Sequence, residues 1–206
     1  MVAAKSYLRD VLATCRNNLS PSYIDERSRF IQRRLIESRW YRQAAIVVLY
    51  APKDNEVETR QIFADAIASR RVVLFPKVIR SSKQLALVRV DDLTNLQSGA
   101  FGVLEPTGTE TVPPAHLRQA LICVPGLAFS PSGHRLGRGG GFYDCLLGEV
   151  GSDTTSAGLA YSFQVLDQIP QSPIDRRLNL IFTESALYEA ALNSEPATAG
   201  ADQGGI

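Results

Sequence analysis

Glycines and charged side chains concentrated between residues 135 and 144 are the part of this chain best suited to chemistry. Four of the five residues from 137 to 141 are glycine, the exception being Arg138, and Arg135 and Asp144 bracket the segment. Glycines let backbone N–H groups approach an anion closely, and the start of a following helix adds partial positive charge. A carboxylate beside such a site makes sense if a magnesium ion lies between it and the anion. These residue types predict a nucleotide-phosphate site.

The flanking residues predict the elements that position this loop. Residues 121–124 are an apolar run typical of a buried strand, Pro125-Gly126 is a turn signal, and residues 142–147 have the pattern of the first turns of a helix. The alternative is a tight strand-to-helix turn whose glycines only relieve steric strain. Neither standard phosphate motif matches, because no G-x-x-x-x-G-K-[ST] occurs and Phe142 replaces the third glycine of G-x-G-x-x-G.

As one string, residues 124–144 (VPGLAFSPSGHRLGRGGGFYD) resemble the signature of the 5-formyltetrahydrofolate cyclo-ligase family, also called methenyltetrahydrofolate synthetase. Further matching pieces lie between Lys5 and Thr183, in the family's order. The resemblance implies an ATP- and magnesium-dependent conversion of 5-formyltetrahydrofolate to 5,10-methenyltetrahydrofolate, with release of ADP and phosphate, through an iminium phosphate.

The resemblance also implies which residues bind the nucleotide. Lys5 and Arg9 match a family Lys and Arg, four residues apart, that reach the ATP phosphates; Arg138 and Asp144 are the predicted catalytic residues. The predicted nucleotide-binding residues are Lys5, Arg9, Arg135, Leu136, Gly137, Arg138, Gly139, Gly140, Gly141, Phe142 and Tyr143.

The N-terminal cations also have a simpler interpretation. Residues 4–19 fit a helix whose apolar face is predicted to comprise Leu8, Val11, Leu12, Cys15 and Leu19. Lys5, Arg9 and Arg16 follow one edge of that face. Without the resemblance, a solvated flank is the interpretation to prefer for such a stripe.

Three residues are predicted to contact the folate. Glu56 opens E-V-E-T, matching a family motif whose first Glu binds folate; its alternative role is to stabilise the start of a helix beginning there. Phe101 in G-A-F-G-V-L-E-P matches an aromatic residue that stacks near the pterin; its alternative is an ordinary core aromatic. Tyr143 is assigned to the folate as well as to the nucleotide.

A loop before the last predicted strand adds a second carboxylate. Residues 170–179 resemble the family's P-x-x-x-x-D-x-x-[LV]-D, and Asp175 matches its first Asp, so Asp144 and Asp175 are the predicted magnesium ligands. Asn179 replaces the later Asp of the pattern. An amide oxygen is a weaker cation ligand than a carboxylate, so Asn179 is not assigned to the metal.

Alternating strands and helices predict the α/β class: a single domain with a largely parallel central sheet flanked by helices, of the NagB/RpiA/CoA transferase-like kind. Ser20-Pro21 predicts the start of a second helix, running to about residue 38. Strands are predicted at 46–50, 72–75 (ended by Pro76), 85–90, 155–160 and 180–183, and a helix from Glu56. The predicted domain covers residues 1–192, and residues 193–206 are predicted to be a disordered tail.

Composition and net charge exclude some classes of binding partner. The chain is 45% apolar and 21% charged with a formal net charge of +1, so neither nucleic acid nor an anionic membrane is predicted as a partner. Three cysteines without a C-x-x-C pair favour reduced thiols, and with two histidines in the chain we expect no His/Cys zinc site. No signal peptide or membrane span is predicted. We expect a cytoplasmic monomer that binds a folate and ATP.

Three alternatives stay open at the level of sequence. A phosphosugar or CoA-ester enzyme with a similar sheet would need its own nucleophile or acid, and no glutamate lies in the glycine loop. A non-catalytic folate- or nucleotide-binding relative would keep the loop without turnover, and Asn179 is the feature that points to it. Cys145 beside Asp144 is a candidate nucleophile, although nearby His134 has no evident orienting partner.

Overall fold

Short runs of aliphatic residues form a central sheet in the computed structural model, which describes residues 2–191, without the side chain of Val2. The predicted tail at 193–206 lies outside the described residues. The strands are β1 (Ile46–Val48), β2 (Val72–Ile79), β3 (Gln84–Arg89), β4 (Leu96–Ser98), β5 (Leu104–Pro106), β6 (Thr111–Val112), β7 (Ala120–Val124), β8 (Ala128–Phe129), β9 (Arg135–Leu136), β10 (Thr155–Leu159), β11 (Leu180–Phe182) and β12 (Leu187–Glu189).

Helices cover both faces of this sheet. The α-helices are α1 (Val2–Asn17), α2 (Pro21–Ile36), α3 (Arg39–Gln43), α4 (Arg60–Ala68) and α5 (Phe142–Glu149). Ser20 is the N-cap of α2, as predicted, and its hydroxyl accepts a hydrogen bond from the Tyr23 amide. No helix among the described residues is long and apolar enough to cross a membrane.

The sheet topology confirms the predicted fold class. Among the described residues, eight strands join in the order β12-β11-β10-β7-β1-β2-β3-β6, and the run from β11 to β2 is parallel. Antiparallel strands β12, β3 and β6 extend the two edges. The carboxyl ends of β1, β7 and β10 therefore meet at one edge of the sheet, where ligands of such folds collect.

Successive side chains of the central strands enter two different cores. Val47 packs among residues of α2, α3 and α4, whereas its neighbour Val48 packs with Ile122 and with Leu146 of α5. This alternation is the expected consequence of a two-residue strand period in a sheet covered on both faces.

Strand β2 continues through Pro76 to Ile79, so the predicted end at residue 75 is wrong. Leu74 and Val78 direct their backbone groups away from β3: the Leu74 carbonyl accepts from the Leu49 amide, and the Val78 amide donates to Glu105. Alternate residues of β2 direct their backbone groups toward β3, and Pro76, like Leu74 and Val78, is one of those that face away. Its missing N–H therefore removes no hydrogen bond from the β2–β3 ladder.

The inward face of α1 differs from the predicted one. Leu12 is buried against Leu127 and Leu136, but Val11 and Cys15 are exposed, and Arg16 is buried in their place. The helix is rotated so that its cationic edge, and not its most apolar stripe, faces the protein. For Arg16, the interpretation as a solvated flank is wrong.

Candidate functional site

A cavity of about 480 Å³ opens at the carboxyl edge of the parallel strands. Every residue that the sequence assigns to a ligand lines it, from five separate segments of the chain. These residues are Lys5, Arg9, Glu56, Phe101, Arg135, Leu136, Gly137, Arg138, Gly139, Gly140, Gly141, Phe142, Tyr143, Asp144 and Asp175.

The glycine loop connects the β8–β9 hairpin to the start of α5. Gly139 (φ +103°) and Gly141 (φ +75°) adopt left-handed conformations that side chains disfavour, and Gly141 is the N-cap of α5. Within residues 2–191, no acceptor pairs with the amides of residues 137–141, while the Gly137 carbonyl accepts from Arg9 Nε at 2.9 Å. A loop with uncommitted N–H groups before a helix N-terminus suits an anion.

The cations around this loop are paired with the carboxylates of the cavity. Lys5 Nζ lies 2.5 Å from Asp175 Oδ2, and Arg135 Nη2 lies 3.2 Å from Asp144 Oδ2. The site therefore balances its own charges, as ions largely removed from water require. A triphosphate with a magnesium ion would offer each member of these pairs a new partner of the opposite sign.

Arg135 is the most enclosed of the cavity cations. Its Nη1 donates to the Pro125 carbonyl at 3.3 Å, and its guanidinium carbon lies 5.6 Å from the centre of the Tyr143 ring. Its Nε is buried without a hydrogen-bond partner among the described residues. The strand-end turn and the first turn of α5 thus fix this charge beside the glycine loop.

The two predicted metal ligands suit a magnesium ion that arrives with phosphates. Asp144 Oδ1 accepts from the Arg176 amide, which brings Asp144 next to the loop of Asp175. Burial opposes the ionisation of Asp175, but hydrogen bonds from Lys5 and Ser172 outweigh it, so its pKa lies below the ordinary value. The described residues contain no cluster of three or more His, Cys, Asp or Glu side chains for a metal. Magnesium commonly binds through one or two carboxylates plus substrate phosphates, which matches this donor set.

Glu56 lies in a loop and not at the start of a helix. Helix α4 begins at Arg60 with no acidic residue in its first turn, so the interpretation of Glu56 as a helix-terminal carboxylate is wrong. Its Oε2 accepts from the Lys53 amide at 3.1 Å, and its Oε1 accepts from Arg138 Nη2 at 3.2 Å. These contacts hold the carboxylate at the cavity wall.

Two tyrosines beside Glu56 are strongly biased toward their neutral form. Burial raises the pKa values of Tyr50 and Tyr143 well above the ordinary tyrosine value, and the negative charge of Glu56 raises them further. Tyr50 donates to the Val57 carbonyl at 2.9 Å. Both hydroxyls therefore remain hydrogen-bond donors at neutral pH.

Phe101 is a rim residue and not part of the core. It is 71% exposed, has a left-handed backbone conformation (φ +56°), and packs its ring 5.9 Å from that of Phe142. Its carbonyl accepts a hydrogen bond from Lys53 Nζ. The alternative interpretation as a buried aromatic is wrong, and its stacking on a pterin stays a prediction.

Arg138 faces the carboxylates of Asp54 and Glu56 in this structure. Its Nη1 lies 2.8 Å from Asp54 Oδ2, while Nη2 contacts Glu56. No sequence pattern indicates a function for Asp54 or Lys53, because loop residues after β1 carry no periodic signal. Asp54-Asn55 is the one available hint, since both residues adopt left-handed backbone conformations that Asp and Asn tolerate.

Asn179 and Cys145 do not line the cavity. Asn179 Oδ1 accepts from the amide and the hydroxyl of Ser156, each at 2.8 Å, and so joins the starts of β10 and β11 at the edge opposite the cavity. The Asp-to-Asn departure therefore does not remove a charge from the cavity wall. Cys145 is exposed on α5.

Comparisons with known proteins agree on one family. The model of the 5-formyltetrahydrofolate cyclo-ligase family matches residues 1–184. A probable 5-formyltetrahydrofolate cyclo-ligase from Caenorhabditis elegans is 28% identical over 190 residues, which cover 87% of this chain and 92% of the relative.

Solved structures give the same result. The NMR structure of 5,10-methenyltetrahydrofolate synthetase from Aquifex aeolicus matches with a TM-score of 0.80 and 31% identity, covering 96% of this chain and 98% of that one. A 5,10-methenyltetrahydrofolate synthetase from Mycoplasma pneumoniae matches with a TM-score of 0.72 and 24% identity, covering 87% and 98%. The second likeness supports the fold alone.

Proposed function

Because the chain belongs to the 5-formyltetrahydrofolate cyclo-ligase family, we propose that it converts 5-formyltetrahydrofolate to 5,10-methenyltetrahydrofolate, using ATP and releasing ADP and phosphate. The observation that carries this proposal is a single cavity with two chemically different ends. One end has the glycine loop with Lys5, Arg9 and Arg135. The other has Glu56, which Arg138 of the loop contacts from one side and buried Arg16 from the other. The two substrates can therefore meet inside one enclosure.

The reaction needs ATP because the formamide oxygen is a poor leaving group. In the proposed sequence, this oxygen attacks the γ-phosphorus of ATP and ADP leaves, which gives an iminium phosphate. N10 of the folate then attacks the activated carbon and loses its proton, the ring closes, and phosphate departs. No covalent bond to the protein is required, so the protein contributes position and charge.

The loop amides and cations would bind the triphosphate, with Arg9 and Lys5 contributed by α1 and Arg135 by β9. Charge develops on the transferred phosphoryl group, and donors that are already fixed need no reorganisation when it does. A magnesium ion held by Asp144 and Asp175 would neutralise phosphate charge. Tyr143 and Glu56 would offer the folate a hydrogen-bond donor and an acceptor.

One assay tests the activity directly. Purified protein with 5-formyltetrahydrofolate, ATP and magnesium should show a rise in methenyl absorbance that depends on all three components. A non-catalytic relative would bind both ligands without that rise. If absorbance stays flat while calorimetry shows binding of both substrates, the binding-protein alternative replaces the proposal.

The glycine loop provides a prediction that separates an anion cradle from a strained turn. Gly139→Ala should weaken ATP binding at least about tenfold, because the new Cβ, in ordinary contact with the Arg9 guanidinium at 3.5 Å, would occupy space inside the proposed cradle. It should also lower the free energy of unfolding by about 1 kcal/mol, since Gly139 has φ +103°. Calorimetric ATP titrations and melting curves measure the two effects.

Gly102→Ala is the matched control for strain. Gly102 also has a positive φ, +68°, but its added Cβ would face Lys53 Nζ at 3.4 Å and not the Arg9 guanidinium. It should lose comparable stability and keep its ATP affinity. If both variants bind ATP as tightly as the wild-type protein, the glycines only relieve strain in a turn, and the loop is not part of the nucleotide site.

A further inference from the structure

A buried arginine lies behind the folate end of the cavity without lining it. Arg16 is 1% exposed, its Nε donates to the Asp54 carbonyl at 2.9 Å, and its Nη1 donates to the Gly126 carbonyl at 3.1 Å. Its Nη2 lies 3.5 Å from Glu56 Oε1 and has no hydrogen-bond partner among the described residues. One guanidinium thus connects α1, the loop after β1 and the turn after β7.

The burial of this charge calls for an explanation beyond anchoring a helix. Burial lowers the pKa of Arg16, and the charge of Glu56 acts in the opposite direction. Apolar side chains of similar size commonly replace buried ion pairs at no loss of stability. A residue that only attached α1 to the sheet would therefore not need a guanidinium next to a carboxylate.

The loop that carries Glu56 is built around Arg16. Asn55 Nδ2 donates back to the Arg16 carbonyl at 3.1 Å, which closes a reciprocal contact between α1 and the loop. Glu56 Oε1 is then shared between Arg16 behind it and Arg138 in front of it. Arg138 is half-exposed and also pairs with Asp54, whereas Arg16 has no such freedom. The fixed member of this pair of arginines is Arg16.

We propose that Arg16 is a positioning residue for the folate, acting through Glu56: its guanidinium fixes the loop and directs the Glu56 carboxylate into the cavity. This inference rests on the proposed function, because it takes the folate as the ligand of Glu56. It assigns to α1 two roles, with Lys5 and Arg9 at the nucleotide and Arg16 behind the folate.

A double-mutant cycle tests whether Arg16 acts through Glu56. Arg16→Gln should raise the KM for 5-formyltetrahydrofolate about tenfold or more and change the KM for ATP less than about twofold. In the Glu56→Gln background, the same substitution should add less than about twofold to the folate KM, because its target is already gone. A purely structural arginine would change both substrate constants and would add its effect in either background.

Two further variants keep the test decisive. Arg16→Lys retains the charge but not the planar fork, so it should recover part of the folate affinity and serves if Arg16→Gln does not fold. Arg71→Gln is the matched control: Arg71 Nε donates to the Ala44 carbonyl and its guanidinium stacks on Tyr41, at the opposite edge of the sheet. It should reduce thermal stability and leave the folate KM unchanged.

Hydrogen exchange separates failure of this inference from failure of the proposed function. The Lys53 amide donates to Glu56 Oε2, so its exchange should accelerate at least about tenfold in Arg16→Gln and not in Arg71→Gln, whether or not the protein turns over folate. Suppose that the wild-type protein turns over folate, that the Arg16 and Glu56 substitutions act additively, and that the exchange of the Lys53 amide is unchanged in Arg16→Gln. These results would overturn the proposed role of Arg16 and leave the proposed function intact. Absent wild-type turnover would overturn the proposed function, while exchange at Lys53 would still decide whether Arg16 positions Glu56.

Discussion

Asp144→Asn is expected to lower kcat about 100-fold or more and to raise the magnesium concentration needed for half-maximal rate. The substitution removes one negative charge from the pair of carboxylates that would bind the ion, and it keeps the size of the side chain. Arg135 would lose its carboxylate partner but keep the Pro125 carbonyl and its contact with Tyr143, so the fold should survive. Initial rates across a magnesium series at saturating ATP measure the effect.

The magnesium series also distinguishes a metal ligand from a partner of Arg135. If Asp144 only orients Arg135, the rate should fall without any change in magnesium dependence. Asp153→Asn is the control, because Asp153 also pairs with an arginine, the exposed Arg118 at 3.5 Å, but on the surface outside the cavity. It should leave both quantities unchanged. Wild-type rates for Asp144→Asn at limiting magnesium would remove Asp144 from the metal site.

The central sheet was predictable because its strands are short, apolar and bounded by turn residues. Buried parallel strands such as β7 are continuous hydrophobic runs in sequence, and all five residues of β7 are buried in the fold. Antiparallel additions were harder to predict. A proline predicts a strand end because it lacks a ladder donor, but whether Pro76 needs that donor depends on whether its backbone faces β3. The sequence alone does not show which strand or side chain lies beside that position.

The rotation of α1 shows a second limit of periodicity. A helix normally buries its most apolar stripe, which would favour Val11 and Cys15 over Arg16. Arg16 is buried because two backbone carbonyls and a carboxylate, contributed by residues 54, 56 and 126, compensate its charge. Those partners lie 38 or more positions away in the chain, so no local pattern could reveal them. The family motifs indicated Lys5 and Arg9 but gave no signal for Arg16.

Glu56 shows how a plausible local explanation can be wrong. Carboxylates ahead of an apolar periodic run usually belong to the first turn of a helix. Here α4 begins at Arg60, because residues 53–56 are committed to a loop with two left-handed residues, Asp54 and Asn55. The position of Glu56 depends on tertiary contacts with Arg138 and Arg16, and those contacts also suit it to a ligand.

Glu56→Gln is expected to raise the KM for 5-formyltetrahydrofolate about 100-fold, the equivalent of ~2.7 kcal/mol, and to change the KM for ATP by less than about threefold. The amide keeps the shape of the side chain, but it loses the charge and places an NH2 group where an oxygen accepted from arginine. Steady-state kinetics with each substrate varied in turn measures the split. Glu58→Gln is the control, because Glu58 is half-buried and its one salt bridge among the described residues is with the exposed Arg60.

Glu56→Gln should also destabilise the protein, and this loss of stability can be measured separately from the change in folate KM. Removing one partner of a buried pair leaves Arg16 as an uncompensated charge, which commonly costs about 3–5 kcal/mol. Adding Arg16→Gln should then restore part of the melting temperature, because two neutral partners avoid that penalty. A restored melting temperature with an unrestored folate KM would show that stability and substrate binding are separate functions of Glu56.

If Glu56→Gln raises the KM for ATP instead of the KM for the folate, the charge of Glu56 acts through Arg138 on the nucleotide, and the carboxylate has been assigned to the wrong ligand.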